Sequence, residues 1–124
     1  PLRKPNDIDQ ALNEFIKSKS DSLFSCHKAE DYFDIWALRN KKYTPLIIDF
    51  NNRKPRQLFR EKQVCQNGSI YIFKNNIILK NNNRLGGKIT VFEMEEWQSL
   101  QLDALKQKKI MELIFLKELK KYYV

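Results

Sequence analysis

The stretch that decides the fold covers residues 6–26 and reads NDIDQALNEFIKSKSDSLFSC. Its first half places apolar side chains at i, i+3, i+4, i+7 and i+8, which is the spacing of one face of an α-helix. These are Ile8, Ala11, Leu12, Phe15 and Ile16. Residues 22–26 form a short apolar run after a polar loop and predict a buried strand. A helix followed directly by a buried strand is half of a crossover unit, so the stretch predicts an α/β sheet.

Two further β-rich pieces follow, at 35–38 and 45–48. The polar turn 39–42 joins them, so they predict a hairpin. Residues 51–66 are polar and basic, and such a segment is typical of a long loop that carries function.

The rest of the chain alternates again between strand and helix. Residues 69–73 predict a strand, 74–80 a short helix and 88–92 another strand. From Asp103 a lysine-rich helix is predicted to run close to the C-terminus. Its inward candidates are Leu105, Ile110, Leu113, Ile114 and Leu119.

Composition narrows the class of protein. The 124 residues are 42% hydrophobic and 31% charged, as in one soluble globular domain. The sequence has no apolar run of about 18 residues and no signal-like N-terminus, so we expect a cytoplasmic protein without a membrane partner. Cys26 and Cys65 lack CxxC spacing and His27 is the single histidine, which favours free thiols over a zinc site.

The net charge of +8 permits nucleic acid, an anionic membrane or a phosphate-bearing small molecule as partner. The basic residues are scattered, and no predicted helix carries a continuous basic face with aromatics, which argues against nucleic acid. The only glycines are Gly68, Gly86 and Gly87, so the chain has no glycine-rich phosphate loop. If the protein acts on nucleotides, half of its site is expected elsewhere.

Four stretches match one family in chain order. They read PLR at 1–3 with DID at 7–9, PRQ at 55–57, NGSIYI at 67–72 and QSLQLD at 98–103. Together they resemble the acylneuraminate cytidylyltransferases, over nearly the whole chain. The resemblance implies the C-terminal half of a nucleotide-diphospho-sugar transferase-like, Rossmann-related α/β sheet. It also implies that residues 34–66 form a protruding dimerisation segment and substrate loop.

The resemblance further implies a reaction. Members of the family join CMP from CTP to a nonulosonic acid of the sialic or legionaminic type, with Mg²⁺ as cofactor and pyrophosphate as product. The nucleotide loop of such proteins has no counterpart here. The 124-residue chain is therefore expected to supply the sugar side of the site, to form a homodimer and to be inactive alone.

The implied metal ligand is Asp103. Taken without the family, Asp103 is a plausible helix N-cap. Mg²⁺ commonly takes one or two protein carboxylates and leaves its other positions to water and substrate. Gln101 replaces the family's second acid, and its neutral amide supplies no second negative charge.

Arg56 is the implied anchor of the acid sugar, because a guanidinium can donate two parallel hydrogen bonds to a carboxylate. Its alternative is a solvated surface charge. Asn67 is implied to contact the sugar, with Gly68 allowing close backbone approach and Tyr71 presenting its hydroxyl. Because successive side chains of a strand point to opposite faces, residues 67, 69 and 71 are expected to share one face. Read alone, Asn67-Gly68 predicts a tight turn, and Tyr71 could equally belong to the core.

Three more residues complete the implied substrate site. Arg3 belongs to the PLR stretch, while Arg84 and Leu85 stand where the family packs residues on the sugar's acyl group, although their types differ.

Two rival functions remain open. One is a non-catalytic binding or assembly module derived from the family, favoured by Gln101 and the absent loop, and the other is a basic nucleic-acid module, favoured only by the charge.

Overall fold

A computed structural model describes residues 2–29, 36–47, 49–52 and 62–123. The chain divides into two compact units, one formed by Pro1–His27 with Cys65–Val124 and the other by Lys28–Val64. The predicted segment 34–66 falls mostly in the second unit. Arg56 and the whole PRQ stretch lie outside the described residues.

The described chain contains both helices and strands, and its sheet has parallel and antiparallel pairs, which confirms the α/β class. The elements are α1 Asp7–Ser18, β1 Ser22–Lys28, β2 Trp36–Arg39, β3 Lys42–Pro45, β4 Val64–Phe73, α2 Asn75–Asn81, β5 Ile89–Glu93 and α3 Lys108–Ile114. Single 3₁₀ turns cover Phe50–Asn52, Glu96–Ser99, Leu105–Gln107 and Lys120–Tyr122, and a π-helical turn covers Phe115–Leu119. None of the helices in these ranges is long and apolar enough to span a membrane.

The main sheet has the strand order β4-β1-β5. Strands β1 and β5 run parallel, with Ser22 opposite Ile89. Strand β4 runs antiparallel to β1, because Lys74 N–H donates to Asp21 O while Ile70 N–H donates to the Ser25 hydroxyl. The strands predicted at 22–26, 69–73 and 88–92 are therefore confirmed. Residues 64–66, predicted as loop, belong to β4.

The core of the sheet unit lies between α1 and the three strands. Its buried members are Ala11, Leu23, Ile70 and Met94, and Phe15, Ile72 and Phe92 pack against them. Burying one such large aliphatic side chain contributes about 1.5–3 kcal/mol. The predicted apolar face of α1 is wider than the face that is buried. Ile8, Leu12 and Ile16 stay 53%, 43% and 64% exposed.

The C-terminal helix differs from its prediction. It begins at Lys108 rather than Asp103, and it passes into the π-helical turn after Ile114. Met111 and Leu119 are buried with Leu2, and Ile114 packs against them. The expected inward residues Leu105, Ile110 and Leu113 are exposed. Apolar residues lie on all sides of this helix, so periodicity alone does not identify the buried face. The wider π-helical turn also changes which side chains share a face before Leu119 is reached.

In the second unit, β2 and β3 form the predicted antiparallel hairpin. The predicted second strand at 45–48 was wrong, because the strand lies at Lys42–Pro45. The turn is two residues long rather than four. Asn40 and Lys41 both have positive φ angles, as a tight type I′ turn requires, so pairing resumes at once.

Candidate functional site

The candidate site is built on an irregularity in β4. Gly68 has a φ angle of +69°, the left-handed region that glycine enters without the strain a side chain would add. Asn67-Gly68 therefore does not form the tight turn that the dipeptide predicts. It lies inside a ten-residue strand and interrupts the regular pleat there. We call residues 67–69 the β4 bulge.

The Asn67 side chain holds this bulge from the inside. It is buried, and its Oδ1 accepts the Ser25 hydroxyl at 2.6 Å and Ser69 N–H at 3.1 Å. Its Nδ2 donates to Met94 Sδ at 3.3 Å. Each end of the amide is thus engaged within the protein. What Asn67-Gly68 presents outward is backbone.

Gln101 and Arg3 meet the bulge from two other segments. Gln101 Nε2 donates to Asn67 O at 3.3 Å, and an ideal Cβ on Gly68 would lie 3.5 Å from the same nitrogen. The Arg3 guanidinium donates to Ser69 O at 3.4 Å. The structure therefore brings together four of the residues singled out in the sequence, Arg3, Asn67, Gly68 and Gln101, although they come from three distant stretches.

Tyr71 lies in a different environment from Asn67. Its ring stacks under the Arg84 guanidinium, whose central carbon is 3.7 Å from the ring centroid, and its hydroxyl donates to Gln66 Oε1 at 3.2 Å. The expectation that positions 67, 69 and 71 share one face rested on strict alternation, which the left-handed Gly68 breaks. Leu85 is half-buried and its N–H donates to Asn83 Oδ1, at 3.2 Å.

Asp103 is exposed, two residues beyond Gln101. Its backbone N–H donates to Gln107 Oε1 at 2.8 Å, and Gln107 rather than Asp103 caps the following turn. Within the described part of the chain, the Asp103 carboxylate makes no hydrogen bond or ion pair. The N-cap alternative is therefore not what the geometry shows.

A Mg²⁺ ion at this place would meet a sparse donor set. Gln101 is tied to Asn67 O through its NH₂ group, and the described residues hold no group of three or more His, Cys, Asp or Glu side chains suited to a metal. One exposed carboxylate fits Mg²⁺ only in the mode where substrate phosphates and water complete the octahedron. Asp103 is the residue that would hold the ion in that mode.

Asp21, whose carboxyl group has a shifted pKa, directly precedes β1. Lys74 Nζ donates to Asp21 Oδ1 at 2.8 Å, and this bond, with Lys88 N–H at 2.9 Å on Oδ2, lowers the pKa of Asp21 below its ordinary value. Lys88 Nζ also donates to Ser18 O, at the end of α1. Lys88, which directly follows Gly86-Gly87, is thus held by contacts within the fold.

A cavity of about 650 Å³ opens beside the N-terminus of α1 and the end of β5. None of the predicted site residues lines it, and four of its polar side chains pair with one another. Lys4 bridges Glu95 at 3.6 Å, and Gln98 Nε2 donates to the buried Asp7 carboxylate at 2.6 Å. We interpret these contacts as a structural link between the first turn of α1 and the segment that leads to Gln101.

Three residues that form hydrogen bonds in the site could not be predicted from the sequence. Ser25 lies in an apolar run, Met94 resembles ordinary core, and Gln66 lies in a stretch predicted as loop. Each acts through a hydrogen bond to a residue distant in sequence or across the bulge. Only the fold shows such contacts.

Comparison with known proteins gives one informative match. The chain is 29% identical, over 116 residues, to post-translational flagellin modification protein B of Campylobacter coli. The alignment covers 92% of this chain and 48% of that protein, so the chain spans about half the length of its curated relative. No family profile matches the chain.

Proposed function

We propose that this chain forms the sugar-acid side of a CTP-dependent cytidylyltransferase that acts on a nonulosonic acid. The observation that carries the proposal is the convergence of Arg3, Asn67, Gly68 and Gln101 at the β4 bulge. These positions belong to three separate stretches of the sequence. The similarity to a protein named for post-translational flagellin modification supports a role in the modification of a protein.

In this proposal the residues of the chain position the substrates and neutralise their charge. None of them forms a covalent bond with a substrate. The sugar's anomeric hydroxyl attacks the α-phosphorus of CTP and pyrophosphate leaves. Such chemistry depends mainly on orientation and charge stabilisation. Arg3 and Arg56 are the proposed partners of the sugar carboxylate, because guanidinium pairs with carboxylate in a fixed fork.

The exposed backbone at Gly68 is the proposed point of sugar contact, beside the Gln101 amide that lies 3.5 Å from the position of a Cβ. Tyr71, whose ring stacks under Arg84 and whose hydroxyl donates to Gln66, is a further proposed sugar contact on the same strand. Mg²⁺ would supply charge neutralisation on the phosphates, with Asp103 as its protein ligand. The nucleotide is proposed to bind outside this chain, and a second copy of the chain is the proposed dimer partner.

The test is the Asp103→Asn variant in the complete protein, assayed for CMP-sugar formation across Mg²⁺ concentrations. We expect activity to fall by several orders of magnitude, because the only charged metal ligand in the segment is lost. Thermal stability should stay within a few tenths of a kcal/mol, since Asp103 is exposed and its carboxylate has no described partner. Asp9→Asn, an exposed acid on α1, is the matched control and should leave activity unchanged.

A second function is favoured by one specific contact. Gln101 donates an N–H to Asn67 O, which is a structural link and not metal ligation. A binding or assembly module that has lost catalysis would retain this link. Full activity of Asp103→Asn, or none in the parent protein with any nonulosonic acid, would favour that alternative.

A further inference from the structure

Ser25 is a buried hydroxyl that connects the centre of the sheet to the β4 bulge. Its side chain is fully buried on β1. The Oγ donates to Asn67 Oδ1 at 2.6 Å and accepts Ile70 N–H at 2.7 Å. The two bonds reach β4 on either side of Gly68, so the hydroxyl spans the irregular part of the strand.

Asn67 connects Ser25 to Ser69 and to Gln101. Its Oδ1 also accepts Ser69 N–H, which fixes the chain on the far side of Gly68, and its backbone oxygen accepts Gln101 Nε2. A continuous path of hydrogen bonds therefore runs from Ser25 through Asn67 to Gln101. Such a network is stronger inside a protein than in water, because the surroundings are less polarisable.

We propose that Ser25 is a positioning residue for the sugar-acid site: through Asn67 it sets the backbone of the β4 bulge and the orientation of the Gln101 amide. The inference rests on the proposed function for its consequence in binding. The geometric part concerns only this chain and stands without a ligand. Asn67 then acts through its backbone and its internal hydrogen bonds, and its side chain is not a direct sugar contact.

Ser22 provides a matched control on the same strand. It is also fully buried, and its hydroxyl likewise makes two hydrogen bonds, donating to Gly86 O at 2.8 Å and accepting Gly86 N–H at 3.1 Å. Those bonds lie away from the bulge. Ser22→Ala and Ser25→Ala therefore remove the same atoms from equivalent burial, and a loss of stability common to both variants is not evidence for positioning.

The experiment compares ¹⁵N-labelled chains carrying either substitution with the parent chain. We expect the Gly68 amide and the Gln101 side-chain NH₂ resonances to shift in Ser25→Ala and to stay in place in Ser22→Ala. Titration with N-acetylneuraminic acid should show roughly fivefold weaker binding for Ser25→Ala alone, the effect of disturbing about one hydrogen bond.

Equal shifts in both variants, or shifts in neither, would overturn the positioning role. If Ser25→Ala does not fold, Ser25→Cys serves instead, because its thiol has a similar shape and hydrogen-bonds only weakly. It should shift the same two resonances in the same direction, and an unchanged spectrum would contradict the proposal. A parent chain that binds no N-acetylneuraminic acid would count against the proposed function, while the resonance comparison would still decide the role of Ser25.

Discussion

At the scale of single residues, the Gln101 side chain links the segment before Asp103 to the β4 bulge. The resemblance to the cytidylyltransferases implies an acid at position 101, where this sequence has Gln101. In the structure its amide donates to Asn67 O beside Gly68, and so joins the segment before Asp103 to β4. A carboxylate cannot donate this bond. An acid at position 101 is therefore expected to raise the affinity for Mg²⁺ and to lower the stability of the fold.

Gln101→Asp tests that opposition. We expect tighter Mg²⁺ binding, because a second carboxylate strengthens a hard-cation site. We also expect a loss of about 1 kcal/mol in the free energy of unfolding, because Asn67 O loses its donor. Isothermal titration with Mg²⁺ and chemical denaturation measure the two effects. Gln101→Leu should show the stability loss without the metal gain, and equal Mg²⁺ affinity in both variants would refute the metal role of this segment.

At the scale of elements, the ends of α1, β1, β4 and β5 are joined by one ionic cluster. Asp21 precedes β1, Lys74 follows β4, and Lys88 precedes β5 and reaches the last turn of α1. A lysine at a helix C-terminus also interacts favourably with the helix dipole. This cluster ties the start of β1 to the end of β4 and the start of β5.

The Asp21 cluster predicts an acid-dependent loss of stability. Because the folded state lowers the pKa of Asp21, its contribution is fully present above the unfolded value of about 3.9 and is lost as pH falls through the folded pKa. Asp21→Asn should therefore melt below the parent at neutral pH, and the gap should narrow in strong acid. Thermal unfolding from pH 7 to pH 2 measures this. A constant gap between Asp21→Asn and the parent across this pH range would exclude the linkage.

The hairpin of the second unit predicts where a homodimer would form. Leu38 lies directly opposite Tyr43, so both are on one face, and they are 60% and 71% exposed. An isolated two-stranded hairpin is only marginally stable, and burying such a face would stabilise it. We expect Leu38→Asp to shift a dimer to monomer in light scattering. Lys42→Gln, with the same charge change at the turn, should leave the dimer intact, and a dimer that survives Leu38→Asp would place the interface elsewhere.

At the scale of the whole molecule, the sequence predicted the order of helices and strands far better than their exact burial. Period and turn signals gave α1, the three sheet strands and α2 because each is a local property. The exposed flank of α1, the buried Met111 and the inward Asn67 depend on neighbours distant in sequence. The bulge was missed for the same reason, since Asn-Gly favours a turn unless a partner such as Ser25 holds it inside a strand. Arg56 lies outside the described residues and stays a prediction.

We propose that this chain recognises a nonulosonic acid at the β4 bulge and that the nucleotide binds at a site elsewhere. The most direct measurement is titration of the ¹⁵N-labelled chain with N-acetylneuraminic acid, with glucose as a neutral sugar control and CTP as the nucleotide. We predict saturable shifts at Gly68, Tyr71 and the Gln101 side chain with the sugar acid, and no comparable shifts with glucose or CTP. Shifts confined to other parts of the chain, or the same shifts with CTP, would contradict the account.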